Sequence, residues 1–145
     1  MGPKLFIESE EELQILTKEW KEKLLLQNWG FSVSIVPSCD MTDQNNAGET
    51  NIEWVLRCAD IKILRKEDRH GKYIMKQPME LVLIHELLHA KFMLMETSTY
   101  EATFLDVKNH QLLEDMAKAL YMTKYGLSYD WFEGDWSDTD GKDRK

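Results

Sequence analysis

Several kinds of residue are scarce in this 145-residue sequence, and each scarcity excludes something. Cysteine occurs twice, as Cys39 and Cys58, without the close spacing of a metal clip or a redox pair. Two such thiols do not make a disulfide scaffold, and both read as reduced thiols of a cytosolic protein. Basic residues are outnumbered: 18 Lys and Arg stand against 26 Asp and Glu, for a net charge of −8. A basic face for phosphates is therefore missing, so no nucleic acid is expected as partner, and an anionic membrane surface is disfavoured. Apolar runs are short. None reaches the roughly 18 residues of a membrane span, and the start of the chain turns acidic after Phe6 without a secretory apolar region. The expected location is cytoplasmic. Histidine, finally, occurs only four times, which narrows any search for imidazole chemistry.

What is present suits a single domain over residues 1–145, with an ordered core at about 10–126 and a disordered tail at 136–145. Hydrophobic residues make up 43% and charged residues 30%, ordinary values for a globular chain. A first helix is predicted from Glu10 to Gln27, with Ser9 as N-cap, Glu12 completing a capping box, and Leu13, Leu16, Trp20 and Leu24 as its apolar stripe. Gly30 is expected to end it. Phe31, Val33 and Ile35 alternate with serines as a strand closed by Pro37. A polar loop follows. Ile52–Cys58 is predicted as a second strand, with Ile52, Trp54 and Leu56 on one face, and Ala59–Arg65 as a third. The segment from Tyr73 to Lys76 is a fourth strand or a loop. Pro78 suits the first turn of a helix reaching Met95 that is apolar on nearly every side. A last helix is expected from Glu101 to Lys124, ended by Gly126, with an aromatic and acidic tail beyond it.

Inside the apolar helix lies "LVLIHELLHA". His85 and His89 are one turn apart, about 6 Å along the axis, and share a face. Two imidazoles so placed can bind one Zn2+. Glu86 is turned aside by about 100°, poorly placed as a third ligand but well placed to reach a water on the metal. This is the division of labour in H-E-x-x-H hydrolases: histidines hold zinc, zinc acidifies water and the glutamate takes the proton. A chance match is the competing reading, but a carboxylate in a buried helix without a partner would be costly.

Catalytic zinc usually takes three protein ligands. The last helix aligns Asp106, His110 and Glu114 at four-residue steps. Such a stripe is either a solvated edge or a ligand with its supporting partners. His110 ranks first as third ligand and Glu114 second, with Glu96, Glu101 and Asp115 further behind. With His110 as ligand, Asp106 or Glu114 can accept its other ring N–H. His70 reads as an exposed turn residue. Tyr121 or Tyr100 is a candidate oxyanion donor, although packing is the commoner use of a buried tyrosine.

"MELVLIHELLHA", followed by "HQLLEDMAKAL" on a second helix, resembles the minimal zincin-like metallopeptidases, and in particular small bacterial zincin-like proteins often encoded by phages and other mobile elements. The resemblance spans about residues 10–122, although only the H-E-x-x-H segment is specific. It implies an α+β fold: an N-terminal helix, a small mixed sheet of three to four strands, the buried metal helix and a C-terminal helix. It implies zinc on His85 and His89, with Glu86 as general base. The third ligand in such proteins is commonly a Glu opening an E-Q-x-x-x-x-x-A kind of segment. Here His110 stands at that position, before Gln111 and Ala117. A three-histidine set is also used by zincins. The third histidine of metzincins, close behind the motif, is absent.

The leading functional reading is a zinc-dependent hydrolase, a metallopeptidase acting on a peptide or protein. The alternatives are a non-catalytic zinc domain that binds a partner protein, and a mobile-element regulator that cleaves or captures a repressor.

Overall fold

The computed structural model describes residues 2–71, 74, 76–92 and 100–133, with the side chains of 100–106 and 133 outside the description. The chain forms α1 (Glu10–Lys23), β1 (Gly30–Val36), β2 (Gly48–Glu53), β3 (Cys58–Leu64), α2 (Met79–Lys91), α3 (Tyr100–Tyr125) and a short α4 (Asp130–Glu133). The class is α+β, with three strands among the described residues.

Ser9 caps α1 from an extended backbone and accepts the Glu12 N–H at 3.1 Å, while the Glu12 carboxylate reaches back to the Glu8 N–H. Acids fill the first turn, and Lys21 and Lys23 the last, in the sense the helix dipole favours. The helix ends at Lys23, four residues before the Gln27 read from the sequence. Leu24 and Leu26 are both buried, and one helix face cannot take both. The chain therefore leaves the helix between them. Leu25 takes a left-handed φ of 58° and is left exposed, and the Leu26 N–H bonds Lys21 O at 2.8 Å. Gly30, expected to end this helix, instead opens β1.

The sheet order is β1-β3-β2, with β1 parallel and β2 antiparallel to β3. Alternation and register put Phe31, Val33 and Ile35 on one face with Ala59, Ile61 and Ile63 and with Gly48, Thr50 and Ile52. That face meets the helices: α1 packs on β1, and α2 packs on β2 and β3. The second strand begins at Gly48, not Ile52, and it ends at Glu53. Trp54–Arg57 form the reversal that antiparallel pairing with β3 requires, with Arg57 at a φ of 51°. Val55 and Leu56, 87% and 73% exposed, imitate strand residues in sequence only. Ile74 lies in a helical turn, and Tyr73 and Met75 fall outside the described residues, so no fourth strand exists among those described.

Pro78 is the N-cap of α2, one position before the first-turn place expected for it, and ten of the thirteen residues of α2 are buried. The stretch to Met95 lies outside the described residues beyond Phe92. Leu5, Phe6 and Ile7 are also buried, and Leu5 O accepts the Met79 N–H at 2.8 Å. This N-terminal contribution to the core was not legible as a regular element. Gly126, with φ +65°, ends α3 as its sequence suggests, and α4 then lays Trp131 against Tyr121. Residues 136–145 lie outside the described residues. No helix among those described is long and apolar enough to cross a membrane.

A buried carboxylate ties the three long helices together. Glu80, 5% exposed in the first turn of α2, accepts Trp20 Nε1 from α1 at 2.8 Å and Lys124 Nζ from α3, and the Tyr125 hydroxyl. Lys124 also pairs with Glu19 at 2.6 Å. Removing the carboxylate strands a mostly buried ammonium and an indole N–H. Glu80→Ala is expected to lower unfolding free energy by about 2–4 kcal/mol in urea titration, whereas Glu19→Ala, which removes a more exposed partner, costs far less.

The same cluster sets a pH limit. Burial alone would lower the Lys124 pKa, but its hydrogen bonds to Glu19 and Glu80 raise it above the ordinary 10.5. Burial, with the Glu80 contact, raises Tyr125 above its ordinary 10.0. On raising the pH the unfolded chain loses both protons first, so stability falls there. The urea midpoint should drop above about pH 10, and the Lys124→Met/Tyr125→Phe double variant should flatten that drop.

Candidate metal centre

The site is assembled on α2 and α3 against the wall of β2. His85 and His89 project from one face of α2, and their ring centroids are 5.1 Å apart. α3 brings His110 to both, at 6.3 Å from the His85 ring and 5.3 Å from the His89 ring. One nitrogen from each of the three lies within 4.8 Å of the others. His85 and His89 are half-buried and His110 is exposed, so the cluster opens outward.

The electrostatics favour neutral imidazole at the centre of this group. His89 is pushed down to about 4, first by burial and then by the neighbouring His85 and His110. His85 behaves otherwise. Burial lowers its pKa, but the contact with Glu114 and the charges of Glu86 and Glu114 outweigh that and raise it. Its Nδ1 stands 3.0 Å from Glu114 Oε2, a contact set by charge and proximity more than by hydrogen-bond alignment. With Nδ1 turned to the carboxylate, Nε2 is the nitrogen left for a ligand. Of the two acids the sequence offers as partners for His110, Asp106 and Glu114, the second stands against His85.

Glu86 is 6% exposed. Burial raises its pKa, against the Thr50 hydrogen bond that lowers it. The Thr50 hydroxyl contacts Glu86 Oε2 and lies 3.3 Å from the Glu86 carbonyl oxygen. Two positions earlier on the same face of β2, Gly48 is the point of closest approach. A Cβ built there would meet Val82 Cγ1 at 2.6 Å and Glu86 Cγ and Oε1 at 3.2 Å. Strand and helix touch at this spacing because Gly48 has no side chain.

These groups share a cavity of about 400 Å³, walled by His85, Glu86, His89, His110 and Glu114 on the helices and by Asn45–Thr50 and Ile52 on the strand side. Ile74 and Gln77 also line it. The structure thus brings together His85, Glu86, His89, His110 and Glu114. Tyr121 it places apart from the cavity lining: the ring is 0% exposed and packed against Tyr125, Trp131 and Phe132. The side chains of Asp106, Tyr100 and Glu101 lie outside the described residues, as does Glu96. Asp115 is exposed and off the cavity wall. His70 is an exposed turn residue, its Nδ1 3.3 Å from Asp68 O.

Two site residues escaped the sequence reading, Gly48 and Thr50, because "SCDMTDQNNAGET" reads as loop. Their signal was a period of two: Gly48, Thr50 and Ile52 alternate with Glu49, Asn51 and Glu53.

The donor set fits a zinc ion: three imidazoles converge, one of them held neutral, and a carboxylate supports another. Among known proteins no family model matches the chain, and no curated protein or solved structure matches it either.

Gly48→Ala is expected to destabilise the fold by about 1–3 kcal/mol through overpacking against Val82. In a double-mutant cycle, Gly48→Ala with Val82→Ala should cost clearly less than the sum of the singles. Additive costs would show that the strand does not press on the helix there.

Proposed function

We propose that this domain is a zinc-dependent hydrolase of the minimal zincin kind, a metallopeptidase. The observation that carries the reading is the convergence of His85, His89 and His110 in one cavity with a buried, otherwise unneeded carboxylate, Glu86. His85, His89 and His110 would hold the metal, with Glu114 orienting His85. Zinc bound there would polarise a carbonyl and acidify water.

The remaining steps belong to the chain's own side chains. Glu86 is the general base: burial raises its proton affinity above that of an ordinary carboxylate. Having taken a proton from water, the same carboxyl can pass it to the leaving amine. A peptide is the substrate class that suits the walls. β2 pairs only with β3 among the described residues, and its residues Gly48–Thr50 and Ile52 line the cavity. An extended segment laid along that edge would be bound by its main chain and brought past Glu86.

Elemental analysis of the purified full chain should find one zinc per molecule. His110→Ala should weaken binding by about a hundredfold or more, and His89→Ala should abolish it at micromolar zinc. Glu86→Gln should keep zinc and fold, while cleavage of a random peptide mixture, read by mass spectrometry, falls about 10²–10⁴-fold. Under about half an equivalent of zinc in the native chain, with none bound on addition, would overturn the three-ligand site. Cleavage surviving Glu86→Gln would overturn the role of the base.

A further inference from the structure

We propose that Thr50 is a positioning residue that holds the Glu86 carboxylate in one orientation, so that the strand forming the substrate edge also sets the base. The inference rests on the hydrolase reading of this site and adds a residue to it.

Glu86 is buried on the cavity wall, and its carboxylate has little else to fix it. Thr50 reaches it from a different element. A hydroxyl carries one proton, and two acceptors of Glu86 lie before it: the backbone carbonyl at 3.3 Å and the much nearer Oε2. The shorter, charge-assisted contact takes the proton. Oε2 is thereby engaged, and Oε1 is the oxygen left to receive a proton from water.

The direction of that hydroxyl is set by the sheet. Thr50 pairs with Ile61 of β3, between Gly48↔Ile63 and Ile52↔Ala59, on the face turned to α2. A β-branched side chain on a strand has few χ1 choices. Gly48 lets strand and helix close to the distance at which the short Thr side chain can reach. A serine would reach as far, with more rotamers open to it; a valine would fill the space and donate nothing.

A merely structural hydroxyl predicts a different result from a positioning one. Thr50→Val, Thr50→Ser and the native full chain would be compared, using as probe the best-cleaved peptide from the mixture above. Thr50→Val should keep zinc stoichiometry and thermal midpoint, lower kcat by about tenfold or more, and leave KM unchanged. Thr50→Ser should recover most of kcat. A second readout needs neither metal nor turnover: the Glu86 side-chain carboxyl carbon resonance, in zinc-free protein labelled with ¹³C-glutamate and assigned by its loss in Glu86→Gln. It should move in Thr50→Val and return in Thr50→Ser. An unmoved resonance overturns the hold, as does a kcat equal to native. If the native chain cuts no peptide, the hydrolase reading fails, and the resonance alone still decides whether Thr50 holds Glu86.

Discussion

The burial of α2 is the constraint on which the rest depends. A helix with ten of thirteen residues buried has little solvent side on which to leave an ionisable group, and only Lys91 at its end is exposed. Every polar side chain it carries must be met by a neighbouring element, and the meeting points are what assemble the domain. α1 and α3 arrive at Glu80, β2 at Glu86, and α3 again at His85 and His89. The apolar residues between them supply the driving force; the polar ones determine which neighbours fit and where.

The two buried carboxylates of that helix are satisfied in different ways, and the difference separates architecture from chemistry. Glu80 has an indole N–H, an ammonium and a phenol around it. It is neutralised and saturated, which fits a clamp. Glu86 sits six residues on, on the cavity wall, and among the described residues it meets the Thr50 hydroxyl and the His85 ring beside it. Burial of a carboxylate with so little compensation raises its proton affinity. An undercompensated acid is a poor structural element and a serviceable base. Glu80 went unread in the sequence because a glutamate in the first turn of a helix is normally a solvated partner of the dipole. Only tertiary packing shows that it faces inward.

Legibility in the sequence followed the length scale of the signal. The H-E-x-x-H spacing is fixed by helix geometry within one element, so His85, Glu86 and His89 could be placed together from the string. His110 could be ranked because its helix carries ionisable groups at four-residue steps. The partner of Glu114 could not, since it depends on how two helices are rotated against each other. The strand errors have a local cause. Trp54, Val55 and Leu56 have strand-forming side chains but fall where the chain must reverse, while Gly48 and Thr50 look like loop residues but lie in the ladder. Apolar content outweighed alternation in the reading, and alternation was the better guide. The end of α1 failed for a similar reason: Leu24–Leu26 continue an apolar pattern, and the helix breaks because two of those leucines cannot share a face.

Under the proposed zincin reading, the charge around the imidazoles gives the histidine at position 110 a physical sense. In the zincin-like pattern that position is commonly a glutamate, which would bring a negative charge into direct contact with a cation. Here it is a histidine, and the acid appears four residues on, as Glu114 against His85 Nδ1. On that reading three imidazole ligands would leave the charge of a divalent ion to be balanced by Glu86 and Glu114, which line the same cavity. A carboxylate ligand would offset part of that charge directly and weaken its pull on water and carbonyl oxygen; an outlying one offsets it through distance and leaves more of it to act. On that reading the histidine at 110 and the placement of Glu114 beside His85 would form one electrostatic arrangement rather than two independent features.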